Sequence, residues 1–153
     1  MNEMKTPAAL SPLSKQRLRV WLRLLRAHQV IDTRVREGLR SDHGSTLPRF
    51  DVLAALDRHP DGLRMSELSA KLRVSNGNVT GIVERLASDG LIERVAIQGD
   101  RRATLVRLTP AGKDRFAGMA AEHERWIDEI LSDYDEDELR TMNALLARIG
   151  EDD

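Results

Sequence analysis

The segment from Gly62 to Gly112 constrains the fold more than any other part of this chain. It contains two short helical patterns. The first covers Met65–Leu72, and the second has the apolar spacing of a helix with one buried face, at Val79, Ile82, Val83 and Leu86. Two β-rich segments, Leu91–Ile97 and Ala103–Leu108, follow on either side of a short polar connection. A connection of this length and chemistry is typical of a β-hairpin.

This order of elements, which is helix, turn, helix and hairpin, predicts a winged helix-turn-helix. In that motif one helix can lie in the DNA major groove with the hairpin beside it. We therefore expect a mainly α-helical protein with a small β-hairpin, of class α+β, with double-stranded DNA as its partner. Residues 1–45 are predicted to form an N-terminal arm and dimerisation helix. Residues 46–112 would form the DNA-binding lobe, and residues 113–153 the C-terminal dimerisation helices.

Local signals predict where the helices of the lobe begin and end. A cap residue followed by a proline in the first turn is expected to start a helix, and such pairs stand at Thr46 with Pro48 and at Thr109 with Pro110. Ser66 and Ser75 are possible caps for the two helices of the motif. Asp89-Gly90 is expected to end the second of them, because glycine readily takes the left-handed conformation at a helix end.

Amphipathic helical patterns also flank the lobe. One long helix is predicted from about Leu13 to Leu39, with Asp42–Ser45 breaking it, and a second is predicted to end at Pro60-Asp61-Gly62. Beyond the hairpin, one helix should run to about Leu131 and a last one from roughly Asp135 to Ile149. Because the lobe leaves the apolar faces of the terminal helices uncovered, we predict a homodimer, whose two-fold symmetry suits a palindromic operator.

Positive charge is concentrated where DNA binding is predicted. The 153-residue chain has a net charge of −1, but residues 1–60 carry +5, residues 61–115 carry +3 and residues 116–153 carry −9. The acidic excess therefore belongs to the C-terminal helices, so the near-neutral total does not argue against phosphate binding. A hydrophobic content of 41% with 32% charged residues indicates a folded protein rather than a disordered one.

Several kinds of chemistry are disfavoured by composition. The chain has no cysteine, which excludes disulfides, a thiol switch and a cysteine-ligated zinc site. Its four histidines lack metal-ligand spacing, and we find neither a glycine-rich phosphate loop nor a nucleophile motif, so we predict no metal, no cofactor and no enzymatic activity. Neither a signal peptide nor a membrane span is evident, so we expect a cytoplasmic protein with no membrane partner.

A family resemblance rests on three segments of the motif. They are Gly90-Leu91-Ile92-Glu93-Arg94, Asp100-Arg101-Arg102-Ala103 and Val106-Arg107-Leu108-Thr109-Pro110-Ala111-Gly112. The wing pattern D-x-R followed by V-x-L-T-x-x-G resembles that of the MarR family of bacterial transcriptional regulators, and the helix order matches over nearly the whole chain. The resemblance implies an obligate dimer, usually a repressor, that a small aromatic or phenolic molecule releases from DNA.

Two further segments are similar to one subset of that family. Val74–Leu86 and Leu47–Leu53 look most like regulators of aromatic-acid catabolism, some of which respond to acyl-CoA thioesters. The absence of cysteine separates this chain from the oxidation-sensing branch of the family.

The predicted DNA contacts fall on the second helix of the motif, on the wing and on the residues before them. Short polar side chains on the outer face of that helix are expected to reach base edges. Arg102 would enter the minor groove, oriented by Asp100, while Arg101 contacts a phosphate. Together the predicted contacts are Arg64, Ser66, Lys71, Arg73, Ser75, Asn76, Asn78, Thr80, Arg85, Asp100, Arg101 and Arg102.

Gly81 lies inside the same predicted helix, where a glycine costs about 1 kcal/mol relative to alanine. Two interpretations stay open at this stage. The helix backbone approaches DNA closely at Gly81, or an exposed glycine is simply tolerated there.

An effector site is predicted by the resemblance, which implies a pocket between the dimer helices and the DNA-binding lobe. Candidate lining residues are Trp21, Leu25, His28, Phe50 and Leu53, although an aromatic stripe at helical spacing is more often part of a core. The basic face of the first helix, with Arg19, Arg23 and Arg26, could hold the phosphates of a CoA ester. A basic helix face more often stays solvated or contacts flanking DNA, and that alternative stays open here.

The function predicted from these features is a ligand-responsive regulator, most often a repressor, released by a small aromatic acid or its CoA thioester. Two alternatives remain. One is a winged-helix DNA-binding protein without a small-molecule effector, and the other is a winged-helix module that binds another protein.

Overall fold

The computed structural model describes residues 11–72 and 76–150, apart from the side chains at positions 76, 77, 101 and 102. Its elements, in chain order, are α1 (Pro12–His43), α2 (Leu47–Asp57), β1 (Leu63–Arg64), α3 (Met65–Leu72), α4 (Asn76–Ser88), β2 (Ile92–Ile97), β3 (Asp100–Leu108), α5 (Pro110–Ile130) and α6 (Glu136–Ala147). The strands form one antiparallel sheet in the order β1-β3-β2. The predicted class, mainly helical with a small antiparallel sheet, is confirmed.

The predicted cap-and-proline signals start both helices that carry them. The side chain of Thr46 accepts a hydrogen bond from the backbone N–H of Arg49 at the start of α2. Thr109 makes two hydrogen bonds: its Oγ1 accepts from Gly112 N at 3.0 Å and donates to the carbonyl of Gly90 at 2.7 Å. Thr109 therefore caps α5 and also joins its start to the chain that leaves α4.

Gly90 ends α4 as its sequence position predicts. Its φ of 75° is in the left-handed region that favours glycine. The Leu91 N–H bonds to the Leu86 carbonyl, and the Gly90 N–H bonds to the Ala87 carbonyl, both at 3.0 Å. These paired bonds satisfy carbonyls at the helix end and turn the chain sharply into β2.

Several predicted helix boundaries need correction. The first helix continues past Leu39 to His43, where Gly44 takes the left-handed conformation and ends it. The second helix ends at Asp57, three residues before Pro60. Ser66 lies inside α3 rather than at its cap; instead, the Glu67 carboxylate accepts a hydrogen bond from the Arg64 N–H at 2.9 Å. Ser75, the other predicted cap, lies outside the described residues.

The wing also differs from its predicted outline. A third strand, β1, pairs with β3, with Leu63 opposite Val106. This strand was not predicted, because two residues are too few to show a strand pattern in the sequence. The hairpin turn is narrower than expected, because β3 already begins at Asp100 and pairs there with Ile97. The register shifts between Ala96 and Ile97, so residues 101–103 belong to an irregular part of β3 rather than to a hairpin tip.

A single core joins the lobe to the second half of α1 and to α5. Its fully buried members come from the helices α1 to α5 and from β3, and they include Leu39, Leu53, Leu56, Leu68, Val79, Val83, Val106, Met119 and Trp126. Gly112 lies so close to the Leu91 carbonyl that any Cβ there would collide with it. That contact explains why glycine follows Thr109-Pro110-Ala111 at the start of α5.

The two longest helices cross at a small residue. A Cβ at Gly38 of α1 would overlap the Trp126 ring of α5, so the helices can approach only because this position is glycine. The Arg34 guanidinium lies 5.3 Å from the centre of the Trp126 ring, within cation–π range. Arg115 adds a hydrogen bond from its guanidinium to the His43 carbonyl. The second half of α1 is thereby attached to the body of the chain.

The first half of α1 and all of α6 are covered far less. Exposed large apolar side chains on them include Leu13, Leu18, Val20, Trp21, Leu22, Leu25, Val30, Leu145 and Leu146. The structure records no buried residue in α6. These two helical surfaces are apolar and uncovered in a single chain.

Candidate nucleic-acid interface

The α4 helix separates an apolar from a polar face. Val79, Val83 and Leu86 face the core and are at most 2% exposed. Because successive residues turn by about 100°, positions such as Gly81 and Glu84 point the other way. On that outer face Asn78, Thr80, Gly81, Glu84 and Arg85 are all exposed. A helix with this arrangement can be held by the core while it offers polar groups to a groove.

The predicted contacts on α4 occupy this outer face wherever the structure describes them. Asn78 and Thr80 lie near the start of the helix and are exposed. Arg85 lies one turn further on, and its Nε is 3.4 Å from an Asp89 carboxylate oxygen. Arg73 and Ser75 lie outside the described residues, and so does the side chain of Asn76.

Three further predicted contacts lie just before α4. Arg64, in β1, and Ser66 and Lys71, in α3, are exposed. The α3 helix packs against both α4 and β1, so Ser66 and Lys71 belong to the same helical pair as the polar face, and Arg64 lies directly before that pair. Cations here are suited to contact phosphates, which position a protein on DNA without reading its sequence.

The wing follows α4 directly and packs against it through β2. Asp100 is exposed at the start of β3, whereas the side chains of Arg101 and Arg102 lie outside the described part of the structure. Glu93 and Arg107 are paired across β2 and β3, with the Arg107 Nε 2.6 Å from a Glu93 carboxylate oxygen. Sequence reasoning missed this pair, although opposite charges at the two strand ends could have indicated it.

The predicted effector residues fall into two separate groups. Phe50 and Leu53 are buried in the core, and Phe50 stacks on His123 with ring centres 5.0 Å apart. Trp21, Leu25 and His28 are exposed on the first half of α1. The arginines of that helix half, Arg19, Arg23 and Arg26, are exposed too. Among the described residues, Phe50 and Leu53 thus belong to the core, and the other predicted effector residues lie exposed on α1.

A different cavity lies between the helices α1, α2, α3 and α4. It has a volume of about 180 Å³ and is lined by Arg36, Leu47, Pro48, Asp51, Leu72 and Ile82. Arg36 forms an ion pair with Asp32, with Nε and the carboxylate oxygen 2.7 Å apart. Sequence reasoning missed Arg36 and Asp51, because only the packing of α1 and α2 against α3 and α4 brings these positions together.

Among the residues that line this cavity, Asp51 carries a carboxyl group, and the surroundings of Asp51 change its pKa. Although Asp51 keeps part of its surface in contact with solvent, desolvation by its surroundings raises its pKa above the ordinary value of 3.8. The charges of Arg36 and His123 act in the opposite direction, and that of Asp32 adds to the rise. A cavity that combines a guanidinium with such a carboxyl group can hydrogen-bond a polar ligand while its leucine and isoleucine walls contact an apolar part.

The geometry described above defines the chain as a winged helix-turn-helix protein with an exposed polar reading face. A family model described as the MarR family matches residues 43–103. The crystal structure of a MarR family transcriptional regulator from Silicibacter pomeroyi is 33% identical, with a TM-score of 0.77, and the alignment covers 92% of this chain and 96% of that one. This chain belongs to the MarR family, which consists of transcriptional regulators rather than enzymes.

Two other similarities add detail. A mutant MarR from E. coli, in a crystal structure complexed with operator DNA, is 25% identical with a TM-score of 0.75, and 92% of this chain and 99% of that chain are covered. The uncharacterized HTH-type transcriptional regulator YdgJ of Bacillus subtilis is 33% identical over 106 residues. That match covers 69% of this chain but only 64% of YdgJ, slightly under two thirds of its length.

None of the helices within residues 11–72 and 76–150 combines the length and the apolar character needed to cross a membrane.

Proposed function

We propose that this chain is a cytoplasmic, ligand-responsive transcriptional repressor that binds a palindromic operator as a homodimer. The observation that carries the proposal is the exposed polar face of α4 beside the wing. The uncovered apolar surfaces on α1 and α6 support a second copy. Two lobes related by two-fold symmetry would read half-sites whose centres are roughly 34–36 Å apart.

In this proposal the two parts of the lobe read DNA differently. Asn78, Thr80 and Arg85 contact base edges in the major groove, where asparagine suits adenine and arginine suits guanine. Arg102 enters the minor groove beside Asp100. Arg64 and Lys71 contact phosphates, a role that fixes position and makes binding depend on salt.

The effector is a small aromatic acid or its thioester, as expected for a regulator of aromatic-acid catabolism. The cavity of about 180 Å³ supports a small aromatic ligand, because its apolar walls can contact a ring, while the Arg36 guanidinium and the Asp51 carboxyl group can hydrogen-bond a polar substituent. It is also bounded by α1 on one side and by Leu72 and Ile82 of the reading helices on the other. A ligand there would favour one spacing of the two lobes, and couplings of this kind are typically about 1–3 kcal/mol.

A CoA thioester would need a second region for its phosphates. Arg19, Arg23 and Arg26 recur at intervals of four and three residues on the exposed half of α1, so they lie on one side of the helix. Trp21, Leu25 and His28 on the same helix half would then border the ligand once a second copy covers them.

Binding of the purified protein to the DNA upstream of its own gene tests the regulator proposal. Fluorescence anisotropy across a salt series should show tight binding to this DNA, weak binding to a scrambled duplex, and a steep loss of affinity with salt. Arg102→Ala should weaken operator binding by about 1–3 kcal/mol, whereas Arg125→Ala removes the same charge from α5 and should not. Equal, weak binding to both duplexes would contradict the proposal.

The effector is tested on the same protein–DNA complex. Aromatic acids and their CoA esters are added in turn, and release of the duplex is followed by anisotropy. Arg36→Ala should reduce the response to both forms, whereas Arg23→Ala should reduce only the response to the thioester. If no compound releases DNA or raises the melting temperature of the free protein, the ligand-responsive part of the proposal is wrong.

A further inference from the structure

Gly81 lies in the middle of α4, on the side opposite its buried residues. It is two positions from both Val79 and Val83, so it points about 160° away from each of them. Exposed Thr80, Glu84 and Arg85 surround it. A Cβ built at Gly81 would meet no heavy atom within 4 Å, so packing inside the described chain gives no reason for glycine here.

The backbone gives no reason either. The described glycines with positive φ are Gly44, Gly62, Gly90 and Gly99, whereas Gly81 is an ordinary helical residue. Alanine would fit that conformation and would favour the helix, because glycine loses more conformational freedom on folding. The chain therefore keeps a helix-weakening residue at the centre of its reading face without any benefit to its own packing.

We propose that Gly81 is a specificity-determining residue whose missing side chain lets the α4 backbone approach the floor of the DNA major groove. This inference rests on the proposed function. The groove is about 12 Å wide and a helix with its side chains is about 10–12 Å across, so even one added methyl at the point of closest approach matters. Short side chains such as those of Asn78 and Thr80 reach base edges only when the helix lies deep.

The test compares Gly81→Ala with a matched control, Gly118→Ala. Gly118 is an exposed glycine inside α5, and a Cβ there also meets nothing within 4 Å. Both variants gain the same helix propensity, so each should melt about 2–4 °C higher than the wild type. The DNA is a duplex selected from a random library by the wild-type protein, and a scrambled duplex measures non-specific binding.

Gly81→Ala should bind the selected duplex at least about tenfold more weakly, and the larger Gly81→Leu more weakly still. Binding to the scrambled duplex should not change, because it depends on phosphate contacts. Gly118→Ala should bind both duplexes as the wild type does. This pattern separates a DNA-contact role from a change in stability.

Three results overturn the inference. If Gly81→Ala binds the selected duplex as tightly as the wild type, the glycine is merely tolerated. If Gly81→Ala melts at a lower temperature than the wild type, the folded chain does not accommodate a methyl group at this position, and glycine is needed there for the fold. If library selection with the wild-type protein yields no preferred sequence, the proposed function fails, and this inference fails with it.

Discussion

The winged lobe and the terminal helices bury their apolar residues to different extents. In the lobe Leu53 and Val106 are fully buried, whereas Leu18 in α1 and Ile149 after α6 are 55% and 67% exposed. The lobe is thus complete within one chain, while the first half of α1 and α6 keep a hydrophobic surface that water contacts. A buried core combined with an uncovered apolar surface on the terminal helices is the pattern expected of a chain that pairs with a second copy to read two half-sites.

The largest expected effect comes from removing core volume in the lobe. Leu53→Ala should lower the free energy of unfolding by about 2–5 kcal/mol, because it leaves a cavity where packing is complete. Leu146→Ala removes the same group from α6, where the side chain is 46% exposed. Its cost should be smaller and should decrease as the protein is diluted. Chemical denaturation at two protein concentrations measures the cost of each substitution. If Leu146→Ala costs the same at both concentrations, α6 is not covered by a second copy and the proposed difference between the two regions is wrong.

A smaller effect is expected where two lobe elements are joined. Thr109→Val removes both hydrogen bonds of the Thr109 hydroxyl, to Gly112 and Gly90, and should cost about 1–2 kcal/mol. Thr46→Val removes one longer cap bond, of 3.4 Å, and should cost less. Denaturant midpoints of the two variants test the order. A larger loss for Thr46→Val would show that the link between α4 and α5 contributes nothing.

The smallest expected effect is at Asp51, where the lobe meets α1. Because its pKa is raised in the folded chain, the folded state holds this proton to higher pH than the unfolded state does. The free energy of unfolding therefore decreases as pH rises from the pKa of Asp51 in the unfolded chain to its pKa in the folded chain. The decrease persists at neutral pH. Asp51→Asn removes this penalty and should raise the melting temperature by about 1–2 °C at pH 7 but not at pH 3.

The control for Asp51→Asn is Asp61→Asn, at an aspartate in the turn before β1 that does not line the cavity. It should change the melting temperature little at either pH. A gain for Asp51→Asn at pH 3 that equals the gain at pH 7 would refute the burial explanation.

Features that depend on neighbours in the sequence were predictable. Thr46, Thr109 and Gly90 act on backbone groups within a few residues, so their roles could be inferred before the structure was known. The helical spacing of apolar residues in α4 likewise predicted which of its faces is buried, and the burial of Val79, Val83 and Leu86 confirms it.

Features that depend on distant segments were not predictable in the same way. Trp21 and Trp126 stand on similar helical stripes, yet one is 56% exposed and the other fully buried, because only Trp126 meets the Gly38 crossing. The strand β1 exists only through its pairing with β3. The cavity beside Arg36 and Asp51 is formed by four helices and has no local pattern.

Whether two chains read one operator is tested most directly by the number of chains bound per duplex, measured by sedimentation with the wild type and with Leu146→Glu. We predict two wild-type chains on one palindromic duplex and weak binding to a single half-site. Leu146→Glu should stay folded but become monomeric and lose most of its operator affinity, because a charge replaces an apolar group on the surface that a second copy covers. One wild-type chain per duplex, with the same affinity for Leu146→Glu, would contradict this prediction.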